Sequence, residues 1–196
     1  MTLAAQQPIE SPTPYRFTRE EYYQLGELGF FAGRRVELIE GEIIAMAPQK
    51  SRHFLSIGLA TQSLEHVFGE KYWVRAQGPL HLPDASEPEP DIAVVPGTKR
   101  SYDDHPTTAL LVVEVSDTTL RFDRGRKAAV YARAGIQDYW LVNLAANCVE
   151  VMREPIEDAL TPSGWRYTAL TTHKVGETIS PLAKPEAKIA VADLLP

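Results

Sequence analysis

The sequence predicts a mixed α/β (α+β) fold, in which helices flank a mixed central sheet and an antiparallel hairpin region is added to it. Three observations lead to this prediction. A hairpin pattern lies near the start of the chain, and two strongly apolar strand patterns lie at its centre. A strand, a helix and a strand then follow in direct succession, which implies a right-handed crossover and therefore a parallel strand pair.

The composition bounds the class of protein. With 196 residues, of which 44% are hydrophobic and 23% charged, the chain is typical of a globular domain. We expect a flexible leader over residues 1–14, without the pattern of a secretory signal, and a single domain over residues 15–196. The longest apolar stretch, residues 109–113, is too short to span a membrane. A single cysteine, Cys148, excludes an intramolecular disulfide and favours a reducing compartment, so we expect a cytoplasmic protein.

The first third of the chain predicts a helix, a hairpin and a second helix. Thr18 and Glu21 have the spacing of a capping box, which predicts a helix that runs to about Gly26. Residues 36–46 are β-branched and apolar on both sides of Glu40-Gly41, a pattern typical of a hairpin with a tight turn. From Ser51, a candidate N-cap, apolar residues recur at helical spacing as far as Gly69.

The remaining elements are mostly strands. Extended segments are predicted over 72–76 and 79–82, a strand over 91–95, and a nearly continuous apolar strand over 109–116 that is central to the sheet. Asp123 is the expected cap of a helix over 124–134, which ends at Gly135. Further strands are predicted over 138–143, 148–153, 165–172 and 178–179.

Two acidic residues are the best candidates for chemistry. If strands 91–95 and 109–116 are antiparallel, Asp91 at the start of one and Glu114 near the end of the other reach the same edge of the sheet. A carboxylate that follows four apolar residues must be paired, neutralised or bound to a metal when it is buried. Metal coordination explains Glu114 best, and a structural ion pair with an arginine is the alternative. Asp91 alone is also compatible with a simple strand start.

Lys127 lies on the same predicted helix stripe as Tyr131, and from there it can point at the two acids and stabilise charge on a phosphate. The alternative is a surface lysine. Glu37 and Glu40 of the hairpin are candidates for an additional acid, although hairpin glutamates are usually solvated. Hard oxygen ligands without cysteine favour Mg²⁺ or Mn²⁺ over zinc.

Three further features bear on a functional role. His53, which opens a helix, is expected to be a local cap or a partly buried residue. Ser116 lacks the surroundings of a catalytic serine. The net charge of −6 opposes extensive nucleic-acid binding, whereas a basic cluster after the acidic site, formed by Arg121, Arg124, Arg126 and Lys127, favours it. The alternative for this cluster is a solvated start of a helix.

Over roughly residues 15–155, the order of these blocks resembles the Uma-two family of restriction endonucleases, which is common in cyanobacteria and other bacteria. The resemblance is carried by Glu37-Leu38-Ile39-Glu40-Gly41-Glu42, His53, Glu87-Pro88-Glu89-Pro90-Asp91-Ile92-Ala93-Val94-Val95, Val113-Glu114-Val115-Ser116, Asp123, Lys127, Tyr131-Ala132-Arg133-Ala134-Gly135-Ile136 and Tyr139-Trp140-Leu141-Val142.

The resemblance implies the restriction-endonuclease-like PD-(D/E)XK fold, in which an aspartate and a glutamate bind Mg²⁺ and a lysine assists phosphodiester hydrolysis. In this sequence the acids correspond to Asp91 and Glu114. Ser116 stands where the motif lysine is usual, so Lys127 is the candidate replacement, and Glu37 resembles an additional acid of such sites.

These observations lead to a first hypothesis, a Mg²⁺-dependent DNA endonuclease with Asp91, Glu114, Lys127 and Glu37 as its catalytic residues. The second is a noncatalytic DNA-binding or regulatory module on the same fold. The third is a metal-dependent hydrolase of small phosphorylated substrates. A homodimer is expected because one small acidic domain offers little surface for a duplex.

Overall fold

The computed structural model describes residues 12–196 of the chain. Residues 1–11 of the predicted leader lie outside this part, and a single domain over 15–196 stays a prediction. The helices are α1 (Arg19–Glu27), α2 (Ser51–Phe68), α3 (Leu120–Phe122) and α4 (Ala128–Arg133). The strands are β1 (Val36–Ile39), β2 (Glu42–Ala45), β3 (Tyr72–Ala76), β4 (Ile92–Pro96), β5 (Leu111–Ser116), β6 (Asp138–Asn143), β7 (Cys148–Glu157), β8 (Trp165–Lys174), β9 (Thr178–Ile179) and β10 (Ile189–Ala190).

The predicted mixed sheet is confirmed. Its six strands have the order β3-β4-β5-β6-β7-β8, and the hairpins β1–β2 and β9–β10 lie outside it. The pair β5–β6 is parallel, as the strand–helix–strand succession predicts, and the other neighbours in this sheet are antiparallel. The antiparallel register of β4 and β5 pairs Ile92 with Val113. Asp91, which precedes Ile92, therefore lies beside Glu114, which follows Val113.

Two apolar clusters cover the two faces of the central sheet. One packs α2 and the C-terminal segment against alternate residues of the strands, including Val113 and Val115 of β5. The other contains Val112 of β5, residues of α4 and Ile39 of the hairpin. Because side chains alternate across a strand, Glu114 shares the face of Val112 and therefore points toward α4.

Local sequence signals account for the early elements. Thr18 and Glu21 form the predicted capping box at the start of α1. At the β1–β2 turn, Glu40 and Gly41 both have positive φ angles, 51° and 74°, as a two-residue hairpin turn requires. A Cβ added at Gly41 would lie 2.8 Å from the Cβ of Arg16, so the close approach of the N-terminal segment also requires glycine there.

Two predictions about local structure were wrong. Asp123 does not cap a helix, because the helix already begins at Leu120 and a π-helical turn, Asp123–Lys127, joins α3 to α4. Ser51 is the first residue of α2 rather than its N-cap. The β9–β10 pair and the 3₁₀ helix Val191–Leu194 complete one face of the core, but only residues 178–179 were predicted. None of the helices within residues 12–196 is long and apolar enough to cross a membrane.

Candidate active site

Asp91 and Glu114 meet at the edge where β4 begins and β5 ends. The backbone N–H of Asp91 donates to Oε2 of Glu114 over 3.3 Å. In return, the backbone N–H of Val115 donates to Oδ2 of Asp91 over 2.8 Å. Both residues are buried, with 6% and 3% of their surface exposed. The two carboxylates are therefore held against each other by the strands themselves, as their positions in the sequence predict.

Lys127 reaches these acids from the π-helical turn. Its Nζ donates to Oε1 of Glu114 over 2.9 Å and lies 3.1 Å from Oε2 of Glu37 on β1. One helical turn further on, the hydroxyl of Tyr131 donates to the same Glu114 oxygen over 2.6 Å. The lysine is buried, so the alternative of a surface lysine is wrong, and Glu114 pairs with a lysine rather than an arginine.

Glu37 joins the site, whereas Glu40 does not. Glu37 is 2% exposed, and its Oε2 also accepts a hydrogen bond from the backbone N–H of Glu89, just ahead of Asp91. The hairpin is thus tied to the segment that delivers Asp91. Glu40 instead pairs with Arg126 and Arg133 outside the cleft.

The segment before Asp91 is fixed by a second buried acid. Glu87 is 1% exposed, and it accepts hydrogen bonds from Arg19 and from the hydroxyl of Tyr23 on α1. Its backbone N–H donates to Leu38 on β1 over 2.7 Å. The irregular run of prolines and glutamates therefore docks α1 and the hairpin beside the site, which explains why a segment without regular structure holds Asp91 in place.

His53 contacts the site, which the sequence did not reveal. It lies in the first turn of α2, and its Nε2 is 3.1 Å from Oδ1 of Asp91. An imidazole N–H at this distance donates to the carboxylate. The expectation of a partly buried histidine is confirmed, since 18% of its side chain is exposed, but its partner is 38 residues away in the chain.

Asp123 is a fourth acid of the site. It is 4% exposed and lines the same cleft as Asp91 and Glu114. One of its carboxylate oxygens accepts the hydroxyl of Thr119 over 2.6 Å. Its place as the first residue of the π-helical turn depends on where the helix begins, and the local sequence of Asp123 is also that of a cap.

The electrostatics of the cleft are dominated by negative charge. Burial raises the pKa of Glu114 to about 8, and the neighbouring Asp91 adds to this rise, while Lys127 opposes it. Burial also raises the pKa of Asp123. For Lys127 burial acts the other way and lowers the pKa, but Glu114 and Glu37 outweigh it and hold the pKa of the ammonium above its usual range. Lys127 is therefore charged at neutral pH.

The cleft itself is small and deep. Its volume is about 260 Å³, and its floor carries Glu37, Asp91, Glu114, Asp123 and Lys127. Its walls come from the end of β2 with the segment that leads to α2, residues 44–50, and from residues 117–119 and Phe122 after β5. The site is thus a recessed, acidic hollow with one buried lysine.

The basic cluster after the acidic site does not form a free nucleic-acid surface. Arg124 makes a bidentate pair with Glu150, and Arg126 bonds to Glu42 and to the carbonyl of Ile39. Lys127 is buried in the cleft, so only Arg121 of the cluster is both exposed and outside these pairs. The cluster is therefore more than a solvated helix start, and its role in nucleic-acid binding stays a prediction.

Comparison with solved structures establishes the fold. A "putative nuclease belonging to DUF820" from Anabaena variabilis matches with a TM-score of 0.69 and 15% identity, over 91% of this chain and 97% of that one. The type IIG restriction endonuclease BpuSI matches with a TM-score of 0.37 and 21% identity, over 57% of this chain and 12% of that one, which does not establish a shared fold. No curated protein matches the sequence.

The first of these likenesses shows that the architecture, with its mixed sheet and flanking helices, is shared with that solved structure. At 15% identity it shows the fold alone. The sequence itself matches the family model Uma2, described as "Putative restriction endonuclease", over residues 19–192. This match spans most of the chain and includes every residue of the cleft floor, so the chain belongs to the Uma2 family.

Proposed function

We propose that the protein is a DNA endonuclease that depends on Mg²⁺ or Mn²⁺ and hydrolyses phosphodiester bonds. The observation that carries this proposal is the contact between Asp91 and Glu114 on adjacent strands, with the Lys127 ammonium 2.9 Å from Glu114. Two carboxylates beside one lysine are the groups that metal-assisted phosphoryl transfer needs. Membership of a family of restriction endonucleases supports DNA as the substrate.

The charge and the donor chemistry of the site suit a divalent cation. Four buried carboxylic acids, Glu37, Asp91, Glu114 and Asp123, share the floor of the cleft with one buried ammonium, that of Lys127. Buried charge has to be paired or bound to a metal, so this excess favours a cation. Within residues 12–196, no three acidic, histidine or cysteine side chains are arranged as a complete metal cluster. Mg²⁺ does not need one, because it commonly binds one or two carboxylates and keeps water and substrate phosphate as its other ligands.

Asp91 and Glu114 would hold the metal. When bound, it would neutralise phosphate charge and lower the pKa of a water molecule that it binds. Lys127 has three N–H donors, of which Glu114 and Glu37 engage two. The third is available to a phosphate oxygen, where the ammonium stabilises the charge that develops in the transition state. Glu37 is a positioning residue, because it fixes the direction of the Lys127 side chain.

The test uses a defined set of variants and a control. We expect Mg²⁺- or Mn²⁺-dependent cleavage of DNA that falls at least 100-fold in Asp91→Ala, Glu114→Gln and Lys127→Met, while the exposed Glu70→Gln variant stays active. Calorimetry should show metal binding by the parent and by Glu70→Gln but not by Glu114→Gln. DNA cleavage by Asp91→Ala at the rate of the parent would refute the assignment of the site.

A hydrolase of small phosphorylated substrates is the second candidate, and the size of the cleft favours it. About 260 Å³ lies at the lower end of pocket sizes for small ligands. Metal-dependent hydrolysis of mononucleotides or phosphate monoesters, without activity on oligonucleotides, would select this function. DNA binding without cleavage in either metal would select the noncatalytic module.

Homodimerisation stays a prediction that follows from the two-fold symmetry of many enzymes that cut two strands. Light scattering at micromolar concentration, with and without DNA, tests it directly. A mass of about 22 kDa, close to the 21.8 kDa of one chain, would contradict it.

A further inference from the structure

The exposure of the residues that line the cleft defines its floor and its mouth. On the floor, the side chains of Glu114 and Lys127 are 4% and 5% exposed. At the other extreme, Lys50 and Asp117 have 67% and 30% of their side chains exposed. Arg35, with 43%, also belongs to the outer part of the lining. Lys50, Asp117 and Arg35 therefore lie on the solvent side of the cleft.

Lys50 and Asp117 connect the two walls of the cleft. Lys50 ends the segment between β2 and α2, and Asp117 begins the segment that follows β5. Their side chains form an ion pair with an N–O distance of 2.8 Å. This pair spans the mouth, and it occupies the lysine that an incoming phosphate would meet first.

The depth of the floor limits the kind of DNA that can reach it. A Mg²⁺ ion contacts its oxygen ligands at about 2.0–2.1 Å, so the scissile phosphate has to descend to Asp91 and Glu114. A duplex is stiff, with a persistence length of about 150 base pairs, and bending a site costs several kcal/mol. At about 260 Å³ the cleft is far smaller than a duplex, so a duplex would have to present its scissile phosphate from outside the cleft. A single strand bends into such a cleft at little cost.

The distribution of cations leads to the same conclusion. Duplex binding depends on many phosphate contacts by lysine and arginine. Within residues 12–196, eight arginines are already engaged by carboxylates: Arg16, Arg19, Arg35, Arg124, Arg126, Arg133, Arg153 and Arg166. With Lys50 and Lys127, ten of the 20 lysines and arginines are paired with carboxylates, and the net charge of −6 opposes a long duplex footprint. A short contact with one strand needs only those at the mouth.

We infer that the cleft takes single-stranded DNA, and that Lys50 exchanges its partner Asp117 for a phosphate of the entering strand. This inference deepens the proposed function and rests on the same site. Asp117 acts as an internal competitor for the phosphate, so its carboxylate weakens binding until the strand displaces it. The competition is local to the mouth and leaves the floor intact.

The experiment measures binding apart from cleavage. Anisotropy titrations in Ca²⁺ would use a labelled 20-nucleotide strand, the same strand in a duplex, and RNA of the same sequence. We expect the single DNA strand to bind at least tenfold more tightly than the duplex and no more weakly than the RNA. Asp117→Asn should tighten binding of the strand by about threefold to fivefold, because exposed ion pairs are weak.

Lys50→Gln should weaken binding of the strand and lower the slope of log K against log salt by about 0.7, the contribution of one phosphate contact to a single strand. Lys99→Gln removes an exposed lysine that lines a different cavity and is the matched control. It should change neither the affinity for the strand nor the salt slope.

Duplex binding as tight as that of the strand, a tenfold preference for RNA, or a Lys50→Gln variant that binds like the control would each overturn the inference. Failure to bind either form of DNA would overturn it as well. Preferred binding of the strand without cleavage in Mg²⁺ or Mn²⁺ would leave it standing and refute the nuclease activity alone.

Discussion

Replacing Lys127 with methionine tests whether its ammonium stabilises the buried acids of the cleft. Methionine fills a similar volume, so the main effect is the loss of the only ammonium among four buried carboxylates. Removing one partner of a buried ion pair typically costs about 3–5 kcal/mol, because the other charge is left uncompensated. Here Glu37 loses its charged partner and Glu114, which is largely protonated at pH 7.5, loses a hydrogen-bond donor, so we expect a loss within that range.

Replacing Glu114 with glutamine should have a much smaller effect. Glutamine keeps a carbonyl oxygen that accepts from Lys127 and Tyr131, and because the pKa of Glu114 is about 8, the carboxyl that it replaces is already largely protonated at pH 7.5. We therefore expect a change within about 1 kcal/mol, the scale of one neutral hydrogen bond. In an ordinary structural ion pair, replacing either partner lowers the free energy of unfolding by a similar amount. In an acidic cleft, replacing the lysine should lower it much more than replacing the glutamate.

Urea unfolding at pH 7.5 in EDTA measures both effects. With a slope of about 2 kcal/mol per molar urea, the loss in Lys127→Met corresponds to a midpoint lower by roughly 2 M. Saturating Mn²⁺ should restore part of this loss, since a ligand at 100 times its Kd stabilises by about 2.7 kcal/mol. A loss below about 1 kcal/mol in Lys127→Met, or an equal loss in Glu114→Gln, would refute the charge argument.

Three further predictions concern stability. The pKa of Glu114 is raised to about 8 in the folded state. The stabilisation of the folded state by protonated Glu114 is therefore fully present below its usual pKa of 4.5 and is lost as the pH rises through 8. The melting temperature in EDTA should accordingly fall between pH 6 and 8.5, and less in Glu114→Gln. Asp138→Asn should cost about 2–3 kcal/mol in urea unfolding, because this fully buried acid accepts from Arg153 and Trp140; the exposed Glu154→Gln is its control. Thr18→Ala should cost about 1 kcal/mol through loss of the capping box, and an unchanged midpoint would contradict it.

The elements that the sequence predicts well are those with local causes. The capping box of Thr18 and Glu21, the Glu40-Gly41 turn and the apolar run of β5 each depend on residues a few positions apart. The juxtaposition of Asp91 and Glu114 was also predictable, because it needs only one antiparallel pair and the period of two along a strand.

The remaining parts of the site depend on contacts between distant segments or on helical phase. His53 approaches Asp91 only once α2 has packed on the sheet, and nothing near His53 in the sequence indicates this. The role of Asp123 depends on the start of the helix at Leu120 and on the π-helical turn that follows it. The sequence around Asp123 is the same whether Asp123 caps a helix or lies inside one that begins a turn earlier. The local sequence therefore does not distinguish the two.

The lysine of this site comes from a different segment of the chain than the spacing of the motif indicates. Residue 116 lies two positions after Glu114 on β5 and therefore on the same side of the strand. Ser116 stands there, and its hydroxyl lies 3.4 Å from that of Thr119, beside Asp123. The ammonium comes instead from Lys127, which contacts Glu114 directly from the facing helix. An ammonium beside the same carboxylate stabilises the same developing charge whichever segment supplies it, so the serine at 116 does not by itself argue against hydrolysis.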